Sequence, residues 1–194
     1  LGLQTWFPEV FKKYKVVSVF DLLVEYLQSG RIKVDKSIHT QLTTLHEPCN
    51  YGRKSQKAFG HGYFEEPRWI ISQCCENFVE LTPNRMNQYC CGGGGGAWAM
   101  PHVAERIYYG RIKAKQIMDS GAELVIAPCH NCRDQIMKSL IKEYGIHAEV
   151  KYIWELVADS LIVEPWSDEE VEKARKLRDE QFERDGIVLE EEEE

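Results

Sequence analysis

Short apolar runs bounded by turn residues alternate along this chain with longer stretches of helical period. Gln41–His46 (QLTTLH) predicts a strand that runs into the loop Glu47-Pro48-Cys49, because proline bars the regular structure from continuing. Pro67–Cys75 predicts a helix with Pro67 tolerated in its first turn. Asn87–Cys91 reads as a short strand or strand end, broken by Gly92 to Gly96. Pro101–Ser120 is the clearest helix, with Val103, Ile107, Ile112 and Met118 among its apolar positions and Gly121 as its stop. Glu123–Ala127 (ELVIA) is short, apolar and bounded by Gly121 and Pro128, as a buried central strand would be. Cys129–Tyr144 returns to helix, Ala148–Tyr152 to strand and Ile153–Leu161 to helix. Strands separated by helices predict an α/β fold with a mainly parallel sheet flanked by helices.

The two ends differ from this pattern. Val19–Leu27 matches Ile153–Leu161 in apolar, aromatic, acidic and leucine positions at an offset of 134 residues. Both read as the closing helix of a repeated unit, although two ordinary amphipathic helices would look the same. The repeat reading makes residues 1–33 the end of a preceding half, truncated here, and 41–163 the main domain. The chain starts at Leu1 and not at Met, which is the expectation for a piece of a longer polypeptide. At the other end, Ser167 and Glu170 have capping-box spacing, so a charged, exposed helix is expected to about Arg184. Residues 164–194 then form an acidic helical tail, and Glu190 to Glu194 are expected to be disordered.

A length of 194 residues with 43% hydrophobic content is enough for a compact core. No apolar run approaches the roughly 20 residues that span a bilayer, and the first residues carry Lys12, Lys13 and Lys15 in place of a signal core. The formal charge of −7 is unevenly placed: residues 164–194 hold 14 acids and 5 bases, the first 163 residues 17 acids and 19 bases. A nearly neutral body with no basic stripe interleaved with aromatics speaks against nucleic-acid binding.

Seven cysteines change the picture: Cys49, Cys74, Cys75, Cys90, Cys91, Cys129 and Cys132. An odd count with adjacent pairs fits a secreted disulfide framework badly and a reducing compartment better. Cys49, the pair Cys90-Cys91 and Cys129-x-x-Cys132 are separated by 40 and 37 residues, and each group lies at a predicted strand edge, where a parallel sheet gathers its functional loops. Five thiolates exceed what one tetrahedral zinc takes, whereas an iron–sulfur cluster has several irons to share among them. Gly92 and Gly93 open the run that removes side chains beside the pair, letting backbone approach a cluster and offer N–H groups to its sulfides. A phosphate-binding loop fails because Ala97-Trp98-Ala99 follows the glycines in place of Gly-Lys-Ser/Thr.

These residues resemble the CCG, or cysteine-rich, domain of the heterodisulfide reductases and their relatives, over about Gln41 to Leu161. Within that family the wording Glu47-Pro48-Cys49-Asn50-Tyr51-Gly52-Arg53-Lys54, Gly60-His61-Gly62-Tyr63 and Ala127-Pro128-Cys129-His130-Asn131-Cys132-Arg133-Asp134 is most similar to the iron–sulfur subunits of HdrD-like membrane redox complexes, of the DsrK and HmcF type, in anaerobic sulfate reducers. The resemblance implies that Cys49, Cys90, Cys91, Cys129 and Cys132 hold a [4Fe-4S] cluster, noncubane in heterodisulfide reductase. It implies an oxidoreductase component on the cytoplasmic face of the membrane, with quinone- or cytochrome-binding partner subunits. Electrons would pass to a disulfide or to a trisulfide carried by a small DsrC-like protein. An iron site that holds one sulfur while a second electron arrives would avoid a free thiyl radical, and His46 and His130, which flank ligands, would donate protons to the leaving thiolate.

Other readings stay open at this point. Relatives of the same domain serve glycolate, lactate or glycerol-3-phosphate oxidation. A zinc module would use fewer of the thiols, and Cys129-His130-Asn131-Cys132 alone, at a helix start, has the setting of a thioredoxin-like dithiol. Cys74 and Cys75 lie outside the pattern, Cys74 as a small apolar residue of the Pro67 helix. Arg53, Lys54 and Arg133 near the ligand loops would attract an anionic substrate or form surface ion pairs.

Overall fold

The computed structural model describes residues 2–186, which divide into two units at the boundary between Ile162 and Val163. The first unit opens with helices α1 (Gly2–Trp6), α2 (Pro8–Lys13) and α3 (Val19–Gln28). It continues with β1 (His39–Leu45), a π-helical turn at Asn50–Lys54, α4 (Ser55–Phe59), α5 (Glu65–Cys74) and β2 (Cys75–Val79). The long helix α6 (Val103–Ser120) leads into β3 (Leu124–Ile126). From His130 to Tyr144 the chain is helical throughout, as α7 (His130–Asp134), a π-helical stretch Gln135–Leu140 and α8 (Ile141–Tyr144), before β4 (Glu149–Lys151) and α9 (Ile153–Asp159). The second unit carries α10 (Asp168–Asp185).

The four strands form one sheet in the order β2-β1-β3-β4, every pair parallel. The α/β fold with a mainly parallel, helix-flanked sheet is therefore present. Alternation along β3 shows how it is held: Leu124 and Ile126 pack with Ile70, Ile71 and Cys74 of α5 and with Ile153, Leu156 and Val157 of α9. Val125 and Ala127, on the opposite face, pack with Ala114 and Ile117 of α6 and with Ile136 and Leu140. Successive side chains of a strand point to opposite faces, so a two-sided cover demands an unbroken apolar run, which is what the β3 sequence supplies. The strand order reverses between β1 and β3, and the carboxyl ends of these two neighbours form the crevice in which open α/β sheets place their ligands.

Two expectations need correction. Asn87–Cys91 is not a strand: a single 3-10 turn at Arg85–Asn87 is followed by irregular chain through Cys91. The second strand is instead β2, directly after α5. It lies at the sheet edge with Glu76, Asn77 and Phe78 exposed, so its sequence shows no apolar run. In α6 the apolar residues Val103, Ile112 and Met118 are exposed, and the buried stripe is Arg106, Gly110, Lys113, Ala114, Gln116 and Ile117. The stop at Gly121 is present, with φ of 67° in the left-handed region that a side chain disfavours.

In the second unit Ser167 caps α10, its backbone N–H and hydroxyl meeting the Glu170 carboxylate at 2.8 and 2.7 Å. The helix buries no residue, as its charge pattern requires. The expected disorder at Glu190 to Glu194 lies outside the described residues. Among the described residues no helix is long and apolar enough to cross a membrane.

Candidate metal centre

Three chain segments reach the carboxyl edge of β1 and β3. β1 is followed by His46-Glu47-Pro48, and Cys49 begins the π-helical turn, whose Gly52 N–H donates to the Pro48 carbonyl at 3.0 Å. Cys129 follows β3 in extended conformation, and Cys132 lies one turn into α7. Cys90 and Cys91 arrive on the irregular segment ahead of α6. All five sulfur-bearing residues line one cavity.

Their thiols are neighbours in sequence along the cavity, Cys49 beside Cys90, Cys90 beside Cys91, Cys91 beside Cys132, and Cys132 beside Cys129. The remaining two cysteines are elsewhere. Cys74 and Cys75 sit in the apolar cluster beneath α5 and α9, beside Ser160 and Thr43 respectively. All seven are free thiols.

Proton sharing within the chain of sulfurs divides them. Hydrogen bonds from the Cys132 and Cys90 thiols, helped by the Gly93 backbone, hold Cys91 well below the ordinary thiol range. Cys129 falls to about 6, through the Cys132 thiol and the backbone N–H groups of Cys132 and Asn131. Cys132, donor to both, is pushed up, as is Cys49, by its bond to Cys90 and by burial. Metal ligation requires thiolate, so Cys91 and Cys129 are the sulfurs best prepared for it.

The glycines separate by position. Gly92 N–H donates to Cys90 Sγ at 3.3 Å, and a Cβ on Gly92 would stand 2.5 Å from the Arg106 carbonyl of α6. A Cβ on Gly93 would stand 2.7 Å from the Asn131 carbonyl, in the CxxC turn. Gly94, Gly95 and Gly96 face open space. The loop is tied down by the Trp98 indole N–H, which donates to the Asn131 carbonyl at 3.1 Å, and by the Arg106 guanidinium, 3.8 Å above the Trp98 ring.

The two histidines lie in opposite settings. His130 is 76% exposed, its Nδ1 2.6 Å from the Tyr152 hydroxyl. His46 is wholly buried, and burial, reinforced by the Lys113 charge, pushes its pKa down to about 3. One of its ring nitrogens lies with the sulfurs of Cys91 and Cys132 in a group whose members are all within 4.8 Å of one another. Of the basic residues near the loops, Arg53 donates to Cys49 Sγ at 3.1 Å, while Arg133 is 3.7 Å from Glu155 and stacks over Tyr152.

Lys113 was not legible as a site residue. It is 1% exposed, its ammonium donates to Gln116 Oε1 at 2.5 Å, and among the described residues no carboxylate comes within 4 Å of it. The charges that favour its protonation are those of Glu47, Cys91, Cys49 and Cys90. A lysine on the buried stripe of a helix is the one signal that would have found it. Burial lowers its pKa from 10.5 to about 8. Below pH 8 folded and unfolded chains both hold the proton and the full burial cost is felt; between pH 8 and 10.5 only the unfolded chain keeps it, so stability rises with pH. Without metal, Lys113→Met should therefore be more stable by about 2 kcal/mol at neutral pH, the burial cost less about 1 kcal/mol for the orphaned Gln116 oxygen. Urea unfolding of both proteins across this range checks it: the variant's advantage should fade toward pH 10.5.

Five thiols on one cavity, glycine N–H groups aimed at sulfur and a buried cation behind them fit an iron–sulfur group, which is anionic and thiolate-bound. Fold and site together define a cysteine-rich α/β module built to hold a thiophilic metal centre. Residues 43–137 match the model of the CCG family, described as a cysteine-rich domain, and this segment of the chain belongs to it.

The chain is 30% identical over 152 residues to a component of the dihydromethanophenazine:CoB–CoM heterodisulfide reductase from Methanosarcina barkeri, covering 76% of this chain and 34% of that protein. To the Hdr-like menaquinol oxidoreductase iron–sulfur subunit 2 of Archaeoglobus fulgidus it is 27% identical, over 84% of this chain and 30% of the relative. An EtfAB:quinone oxidoreductase from Syntrophomonas wolfei is 24% identical over 70% of this chain and 19% of its own length. The chain thus spans about a third or less of the curated relatives it matches. No solved structure gives a significant match.

Proposed function

We propose that this chain is the iron–sulfur segment of a heterodisulfide-reductase-like oxidoreductase, in which Cys49, Cys90, Cys91, Cys129 and Cys132 hold a [4Fe-4S] cluster. The observation that carries this is selective convergence: five thiols from three distant segments meet on one cavity, and the other two lie in a separate apolar cluster. Relatives named as heterodisulfide reductase and menaquinol oxidoreductase subunits support the class of chemistry.

When bound, the cluster supplies single electrons and iron sites with affinity for sulfur. The reaction we assign takes two electrons and two protons to split one S–S bond, turning a disulfide into two thiols or a trisulfide into a thiol and a persulfide. The chain's own groups prepare the site. Arg53 offsets charge on Cys49, Gly92 and Gly93 offer backbone N–H groups, and His130, exposed beside Cys129, is placed to return a proton to a departing thiolate. Electrons would come from quinone- or cytochrome-binding partner subunits at the inner face of the membrane, and the substrate would be a heterodisulfide or a DsrC-like carrier. Residues 1–33 are assigned to the end of a preceding repeat. In support, α3 and α9 share the same N-terminal cap, Ser18 N–H to Asp21 and Tyr152 N–H to Glu155, and both pack on α5.

Metal analysis of the oxygen-free preparation tests the reading. About four irons and four acid-labile sulfides per chain are expected, with reoxidation of the reduced protein by an organic disulfide. Zinc without labile sulfide would overturn it.

A further inference from the structure

We propose that the His46 imidazole is a non-cysteine member of the metal centre, donating an N–H hydrogen bond to the sulfurs of Cys91 and Cys132 without binding iron itself. The inference rests on the cluster reading above and adds a residue to it.

His46 follows β1, and its backbone N–H donates to the Ile126 carbonyl of β3 at 2.9 Å, which fixes where the ring stands. The side chain is 0% exposed, and neither ring nitrogen has a hydrogen-bond partner among the described residues. Leaving a buried polar atom unpaired is costly, so a ring with two such atoms points to a partner beyond the protein's own atoms. Its surroundings name that partner. A ring nitrogen and the sulfurs of Cys91 and Cys132 lie within 4.8 Å of one another, and these two cysteines come from the two ligand groups that flank α6.

Whether the ring binds iron or donates to sulfur follows from counting. Five thiolates already exceed the four terminal positions of a four-iron cluster, so no iron is left for a nitrogen. A neutral imidazole has one N–H donor, and ligand sulfur carries charge that accepts it. Lys113 faces the same interior, its charge acting on His46, Cys49, Cys90 and Cys91, so the buried side of the centre is lined by a donor and a cation. Both withdraw charge from sulfur and favour the reduced cluster. The open side is left to substrate.

The test uses the whole chain labelled with 15N-histidine, its cluster intact, with potentiometry and pulsed EPR. Expected are a weak 15N coupling that disappears in His46→Gln and persists in His130→Gln, a potential shifted negative in His46→Leu, and recovery of part of that shift in His46→Gln, whose amide keeps an N–H. A strong coupling typical of iron-bound nitrogen would overturn the donor role. So would an unmoved potential in a His46→Leu protein that retains its iron and sulfide. Should His46→Leu not fold, the labelled unmutated protein decides alone. Absence of labile sulfide from that protein would sink the cluster reading itself, a result distinct from a loaded cluster that shows no histidine coupling.

Discussion

Cys91→Ala is expected to lose nearly all the iron and acid-labile sulfide that the unmutated chain carries, while Cys74→Ala keeps them. Both thiols are buried, at 2% and 0% exposure, so burial alone would predict the same outcome for each. Their neighbours differ. Cys91 is the middle of the sulfur chain, in contact with Cys90 and Cys132 and held toward thiolate by both. Removing it takes out the sulfur that joins the pair segment to the CxxC segment. Cys74 touches Ser160 and packs among Ile70, Ile71 and Leu156, and truncating it opens a small void worth about 1–2 kcal/mol of stability. The measurements are iron and sulfide per chain, set beside urea unfolding. Equal metal loss in the two variants would mean that the five-cysteine set is wrong.

Gly92→Ala should be nearly as damaging, through backbone and not through a ligand. Gly92 has φ of 86°, and a Cβ there would stand 2.5 Å from the Arg106 carbonyl and 3.2 Å from the Gly110 nitrogen. Both atoms belong to the main chain of α6 and neither can swing aside. The contact is reciprocal, because a Cβ on Gly110 would stand 2.6 Å from the Cys91 carbonyl. Here the segment bearing Cys90 and Cys91 crosses a helix with no side chain between them. A left-handed φ costs an alanine about 1–2 kcal/mol and forced overpacking about 1–3 kcal/mol, so a loss of about 3–4 kcal/mol is expected, with Cys90 and Cys91 displaced and iron content reduced. Gly94→Ala is the control: its Cβ meets nothing within 4 Å and its φ is ordinary, so stability and metal content should stay as they are. If the two variants behave alike, the glycines are a spacer and the crossing is irrelevant.

Part of this site was legible in the sequence for a simple reason. Thiol chemistry is carried by residue type, so Cys49, Cys90-Cys91 and Cys129-x-x-Cys132 announce themselves wherever the chain takes them. β3 was equally legible, because a strand covered on both faces must be apolar at every position. β2 was not. An edge strand is half solvated, and Cys75-Glu76-Asn77-Phe78-Val79 carries neither an apolar run nor a clean alternation. In α6 the apolar residues do not mark the buried face, because the buried stripe includes Arg106 and Lys113, charged groups that only a polar interior could accept. The glycine run reads as five equivalent residues, yet only Gly92 and Gly93 are pressed against other backbone.

By itself the sequence determined the α/β alternation, the cap at Ser167, the stop at Gly121 and the chemistry of the thiols. These depend on local periodicity, on backbone freedom at single positions and on side-chain type, all properties of neighbours along the chain. Tertiary structure decided which sulfurs touch, that Cys74 and Cys75 do not join them, and that His46 and Lys113 stand behind the five. Those outcomes hang on the β2-β1-β3-β4 order, which brings loops about 40 residues apart to one edge of the sheet, and on the desolvation of groups whose partners are distant in the chain.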